Sequence, residues 1–185
     1  MTQKPPKTDQ RMKTLTPQDM SVAQLDVYTK ILNGPRGKFG GPFPALLHTP
    51  FAANSLQELG AWLRFEGKLS AQLREIVILI AARKWQCRIE WDAHVAIARN
   101  EGVSDILITA IENETVPKGT TPKQGIILDF CRSLLDNKFV SDATYAGAKS
   151  ELSEECLVEL VVILGYYTLL SMILNVFEDP AQDHR

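Results

Sequence analysis

The sequence predicts an all-α fold, and three observations carry that prediction. Strand-like alternation of apolar and polar residues is scarce, and the β-branched residues sit inside apolar windows of helix length. Helix-start residues stand in front of those windows, as Ser70 does before Ala71-Gln72-Leu73. Glycine and proline collect between the windows, where a helix cannot continue. With 185 residues the chain is about the size of one domain, at roughly 100–200 residues per domain.

Taken in order, residues 1–18 hold Lys4, Pro5, Pro6, Lys7, Lys13 and Pro17 and little apolar surface. They cannot bury enough to offset ordering entropy and read as a flexible N-terminal tail. No apolar stretch of a secretory signal stands there. A helix is expected to start near Thr16-Pro17, with Thr as cap and Pro in the first turn. Helical patterning runs from Asp19 to Leu32. The stretch from Asn33 to Pro44 is dense in Gly and Pro, so it is neither regular helix nor central strand. Its phenylalanines, Phe39 and Phe43, are expected to pack against something, and its glycines do not form a phosphate loop.

Beyond this loop a short turn is expected over Ala45–His48 and a helix over Pro50–Phe65, broken at Gly67. A mostly buried helix follows over 71–86 and an amphipathic one over 87–100, with Gly102 as its stop. Ser104 caps a helix through Ile111. Residues 113–122 form a polar loop, and helices are expected over 123–137, Asp142–Leu152 and Ser153–Phe177. The helical domain is placed at 19–178, with a C-terminal tail at 179–185.

Composition narrows the function. Hydrophobic residues at 45% and charged residues at 23% are ordinary globular values, and a net charge of −2 supplies no basic field for nucleic acid. The longest unbroken apolar runs, Ile76–Ala82 and Leu160–Leu164, are too short to cross a bilayer. Three cysteines, Cys87, Cys131 and Cys156, form neither a CxxC pair nor a zinc pattern. That sparse, odd count fits a reducing compartment, so a cytoplasmic location is expected, with no membrane or nucleic-acid partner.

The chemistry-bearing segment is Cys87-Arg88-Ile89-Glu90-Trp91-Asp92-Ala93-His94. At about 100° per residue, Cys87, Glu90, Trp91, His94, Ile97 and Ala98 share one helix face, and Arg88, Asp92 and Arg99 take the solvent side. A buried Glu and His are costly unless paired or used, and these lie four residues apart. A thiol one turn away adds a nucleophile or acid, and the start of a helix favours its thiolate. Each residue alone also fits a plain core, with His94 satisfied by Glu90 beside an inert buried thiol. Together they favour acid–base chemistry. Trp62, Trp85 and Trp91 read as packing residues, with Trp91 able to wall a pocket.

Glu75 is a second buried-looking carboxylate. On a straight helix it would lie about 18 Å from Cys87 at 1.5 Å per residue. They meet only if the chain bends near Lys84-Trp85-Gln86, which would create a helix N-terminus at Cys87. Otherwise Glu75 pairs with Arg74, Arg83 or a partner chain. Leu73–Leu79 is also echoed by Leu157–Ile163, each with one carboxylate in an apolar run. Either buried helices simply look alike, or a helical hairpin is duplicated, with Ser171 and Leu174 standing where the first copy has Cys87 and Glu90.

Glu75, eleven residues, Cys87-x-x-Glu90-x-x-x-His94, then Ala98 and Gly102, resembles the carboxymuconolactone decarboxylase family, whose superfamily includes the AhpD-like alkyl hydroperoxide reductase partners. The core of the resemblance covers about 69–111. The loop before His48 and Leu-Gly-Tyr-Tyr at 164–167 extend it towards 20–177. In the AhpD-like pattern Glu75 matches the relay Glu, Cys87 the first Cys and His94 the final His. Glu90 stands where the second Cys would be, so the local resolving thiol is missing. Cys131 or Cys156 would serve only if the fold brings one near.

The resemblance implies an all-helical, AhpD-like, oligomeric protomer forming trimers or hexamers, with no cofactor and a small-molecule substrate. It implies cations or amides that hold a substrate acid, for which Arg83 and His48 are candidates.

Four readings follow. The first is a cofactor-free lyase acting on a small carboxylated lactone or carbonyl compound. There Glu90 and His94 move protons, Glu75 tunes His94, and Cys87 lines the pocket or acts as an acid. The second is a thiol antioxidant in which peroxide oxidises Cys87 to a sulfenic acid. The third is a non-enzymatic helical oligomer. The fourth, a metal held by Cys87, Glu90 and His94, is the weakest, because consecutive turns of one helix rarely close a metal site alone; no metal is expected.

Overall fold

The computed structural model describes residues 11–177, so the first ten residues of the tail expected over 1–18, and the tail expected over 179–185, lie outside the described residues; within 11–18, Lys13 and Thr16 hydrogen-bond to Asp19. The described residues are all-α: α1 (Val22–Asn33), α2 (Phe43–Leu46), α3 (Pro50–Phe65), α4 (Ala71–Lys84), α5 (Arg88–Asn100), α6 (Asp105–Glu112), α7 (Pro122–Asn137), α8 (Asp142–Glu151) and α9 (Glu154–Phe177), with no strand among them. They form two compact units, one ending at Ala61 and resuming at Met172, the other spanning Trp62–Ser171.

In the first unit α1 starts later than expected. The Thr16 hydroxyl donates to the Asp19 carboxylate at 2.7 Å, and the Asp19 amide donates to the Thr16 carbonyl at 2.8 Å. That closes one isolated turn. Hydrogen bonds from Lys13 and Thr16 hold the Asp19 carboxyl down at about 2. Ser21 is the true cap: its hydroxyl accepts from the Gln24 amide while the Gln24 side chain accepts from the Ser21 amide. This reciprocal pair satisfies two otherwise orphaned donors. The Gly/Pro loop is held by its aromatics. Phe39 meets Tyr28 edge-on at 4.8 Å, and the Arg36 guanidinium lies 5.0 Å above the buried Phe43 ring. The turn expected over 45–48 is instead a short helix beginning at Phe43, since Pro44 fits a first turn.

The second unit is built around α4, whose residues Glu75 to Ala82 are all buried. Ile76, Val77, Ile78 and Ile80 are weak helix formers, so packing rather than propensity holds this helix. It packs against α5, α6 and α7, and α7 against α8. The caps expected at Ser70 and Ser104 are present, accepting from Leu73 and Leu107 amides. Helix α4 ends two residues earlier than expected, at Lys84, because Gln86 takes a left-handed backbone conformation with φ 48°. The chain bends there and α5 returns along α4. Gly102, at φ 81°, ends α5, and the Gln72 amide donates to its carbonyl at 2.9 Å. Glycine suits that left-handed stop.

The echo between α4 and α9 is not a duplicated hairpin. Helix α9 runs unbroken past Ser171, a fully buried residue within the helix. Glu159 also does different work from Glu75. Its two oxygens accept from the Lys68 and Leu69 amides at 2.7 and 3.1 Å, tying down the turn before α4. A side chain on Gly67 would drive its Cβ into that carboxylate and place it 3.1 Å from the Leu63 carbonyl oxygen. Although its unbroken apolar runs are short, α9 is long and apolar enough to cross a membrane by length and composition alone. Of its most apolar window, 56% is buried inside the protein, the pattern of a core helix.

Candidate active site

The bend at 85–87 makes the site. Cys87 is the residue before α5 and its side chain caps nothing, while Glu90, Trp91, His94 and Ala98 form the buried face of that helix. Arg88, Asp92 and Arg99 are exposed, as the helical period requires. Folding α5 back along α4 brings His94 onto Glu75. The His94 Nδ1–H donates to Glu75 Oε2 at 2.6 Å, and Nε2 lies 3.3 Å from Glu90 Oε1. The three side chains are 1%, 6% and 9% exposed, so water contributes little to holding their charge.

Burial pulls His94 towards its neutral form, but the hydrogen bonds and charges of Glu75 and Glu90 outweigh it and raise the imidazole to about 9. At neutral pH the ring is therefore a cation donating from both nitrogens. Tyr167 from α9 sets its ring edge-on to His94 at 5.1 Å and 84°. Burial, reinforced by the Glu90 charge, pushes the Tyr167 phenol far up, so it stays protonated. On the other side of Glu75, Arg74 Nε lies 3.9 Å from Oε1.

Cys87 is 2% exposed and, with Arg83, Arg88 and Trp91, lines a concavity of about 400 Å³ at the bend. Glu90 and His94 do not line it. Cys131 is fully buried in α7, where burial drives its thiol far up and leaves it protonated, and Cys156 is half-buried on α9. Among the described residues, no group of three or more His, Cys, Asp or Glu is placed to hold a metal ion.

Residues 51–124 match the sequence model of the carboxymuconolactone decarboxylase family. Over this span the chain is similar to that family. The span contains Glu75, Cys87, Glu90 and His94. No curated protein sequence matches the chain significantly.

Two solved structures share its fold. One is an uncharacterized peroxidase-related protein with an alkylhydroperoxidase AhpD core from Ralstonia eutropha. It aligns with a TM-score of 0.73 at 17% identity, covering 90% of this chain and 88% of its own. The other is a protein of unknown function from Agrobacterium tumefaciens, described as a candidate AhpD antioxidant-defence protein. Its TM-score is 0.66 at 17% identity, covering 76% of this chain and 95% of its own.

Of the residues singled out from sequence, the fold brings Glu75, Glu90 and His94 into direct contact. It gathers Cys87, Arg83 and Trp91 around one concavity. His48 belongs to the first unit, where its Nε2 lies 3.0 Å from the Lys13 carbonyl oxygen. Two residues escaped sequence reasoning. Arg88, on the solvent side by helical period, also borders the concavity. Tyr167 stands 73 positions from His94, and no local pattern connects them. Its Leu-Gly-Tyr-Tyr context was the sole signal available.

Proposed function

We propose that the chain is a cofactor-independent acid–base enzyme of lyase type, acting on a small carboxylated lactone or carbonyl compound and working as a homo-oligomer. One observation carries this reading: an imidazolium held between two buried carboxylates, Glu75–His94–Glu90, with Glu90 about one helical turn from a thiol that borders a concavity. In a decarboxylation the C–C bond to the carboxylate breaks and carbon dioxide leaves. The electron pair stays on carbon, delocalised into an adjacent carbonyl, and a proton must then be delivered. His94, charged at neutral pH, supplies that proton through Glu90, and solvent restores it. Glu75 holds the ring by its Nδ1–H and keeps it cationic. Cys87, at the concavity end, lines the pocket or passes the proton on.

The test is carbon dioxide release from carboxylated lactones and β-keto acids by wild type, Glu90→Gln and His94→Ala. Each substitution is expected to lower kcat by about 10²–10⁴-fold, the usual contribution of a general acid or base. Turnover left intact in both variants refutes the assignment.

A second reading has its own support, because the group bordering the concavity is the thiol while Glu90 and His94 lie outside its lining. In it Cys87 attacks a peroxide, becomes a sulfenic acid and is reduced by an external thiol. Peroxide-dependent loss of the Cys87 thiol, reversed by reductant, would establish it.

A further inference from the structure

We infer that Arg74 is a positioning residue of the candidate site: its guanidinium, set beside Glu75, balances the charge of the Glu75–His94–Glu90 array and keeps the His94 proton loose enough to be given up. The inference rests on the proposed acid–base function for the use made of that proton, and it adds a residue which that reading leaves idle.

Two ionised carboxylates and one imidazolium leave a single uncompensated negative charge in a site whose three side chains are at most 9% exposed. A net charge so far from water is costly unless a counter-charge faces it. Arg74 supplies one. Its side chain is 12% exposed, and its Nε lies 3.9 Å from Glu75 Oε1, the oxygen that His94 does not use. The row Arg74, Glu75, His94, Glu90 therefore alternates in sign and is neutral as a whole.

The fold, rather than Glu75, holds the guanidinium there. A terminal nitrogen of Arg74 donates to the Leu63 carbonyl oxygen, in the last turn of α3, at 3.4 Å. The Arg74 Nε is buried and makes no hydrogen bond among the described residues. At 3.9 Å its contact with Glu75 is attraction between charges and not a hydrogen bond. A charge acting through space needs no guanidinium fork, so lysine should serve in its place. That separates this role from the bidentate pairing that only arginine performs.

Charge at this position has a definite effect on His94. Glu75 and Glu90 hold the imidazole up at about 9, high for a group that must release a proton near neutrality. A cation behind Glu75 opposes them, because it repels the imidazolium and offsets the field of the carboxylate. Without it the ring would grip its proton more tightly still. The other groups around His94 do not replace Arg74. Glu75 and Glu90 are anions, and the Tyr167 phenol from α9 stays neutral. Arg64 of α3 acts on Tyr167 from a place beside the Phe65 ring.

The experiment follows the His94 ring against pH by NMR in the full chain, its signal assigned by its absence in His94→Ala. Arg74→Met is expected to raise the midpoint by roughly 0.5–1 pH unit, the effect of losing a like charge just beyond the first neighbour. Arg74→Lys is expected to keep the wild-type midpoint. A merely structural arginine would give the opposite sign, since loosening Glu75 removes an anion that holds the proton. Circular dichroism checks the helices, and if Arg74→Met fails to fold, Arg74→Gln, which keeps a donor for the Leu63 carbonyl, replaces it. A midpoint that falls or stays put in the neutral variant, or rises as far in Arg74→Lys, overturns the inference. The ring is read without turnover. A raised midpoint with carbon dioxide release intact in Glu90→Gln therefore keeps the Arg74 assignment and removes the acid–base function, and an unmoved midpoint beside an inactive Glu90→Gln does the reverse.

Discussion

At the scale of the residue, His94 is the group whose behaviour is most directly measurable. Its folded value of about 9 lies above the ordinary 6.5, so the protein binds this proton more tightly folded than unfolded. The resulting stabilisation is complete below about pH 6.5 and drains away as the pH rises through about 9. Denaturant unfolding at pH 6 and pH 10 should differ by on the order of a few kcal/mol from this group, and a flat profile would contradict the arrangement. An NMR titration of the His94 ring should give a midpoint near 9, and Glu75→Gln should lower it by removing the charge that Nδ1–H faces. Gly67 and Glu159 make a second pair. The carboxylate cannot swing aside for a new Cβ without abandoning two amides. Gly67→Ala should therefore destabilise by about 1–3 kcal/mol, read as a shifted denaturant midpoint at constant m.

The helices themselves were largely legible, because their signals are local. Ser70 and Ser104 cap where a serine before an apolar window should, and Pro50–Phe65 was read to the residue. Thr16 misled because a carboxylate three residues on, Asp19, turned its hydroxyl into a donor. The bend between α4 and α5 was inferred from the need to bring Glu75 near Cys87, but its agent, Gln86, was not visible. A left-handed φ at a non-glycine residue costs roughly 1–2 kcal/mol. Gln86→Gly should hold stability to within about 1 kcal/mol, since relief of that cost offsets the added freedom of the unfolded chain. Gln86→Val should destabilise by more than about 1 kcal/mol and weaken whatever binds beside Cys87, because a β-branched residue resists that conformation. Thermal unfolding of the two variants side by side decides it; equal stabilities would mean that Gln86 does not set the bend.

For the whole molecule, α9 matters most. Its inner face supplies Leu160, Ile163, Leu164 and Tyr167 to the core, while Val158, Val161 and Leu169 stay exposed. The proposed homo-oligomer gives those outer residues a partner. Light scattering with size-exclusion chromatography should give a trimer or hexamer, and Val161→Glu should dissociate it without unfolding the chain. A monomeric wild type would remove that part of the proposal. The exposed apolar residues and the overall apolarity of α9 have one origin, inward and outward faces that carry no charged residue from Leu160 to Phe177.

Helical class, most element boundaries, and the stripe of Cys87, Glu90, Trp91 and His94 along one helix are all legible from the order of the residues. All of these follow from a 3.6-residue period and from caps within three residues of the helix start. The tertiary structure alone decided which partners those residues meet. Glu75 reaches His94, Tyr167 covers the ring, and Arg83 and Arg88 face one concavity. Glu159, in an apolar run like that around Glu75, holds backbone amides instead. The reason is physical. Periodicity sets the direction of a side chain relative to its own helix, whereas its partner depends on how separate helices fold together, and here that turns on the backbone angle of a single residue, Gln86.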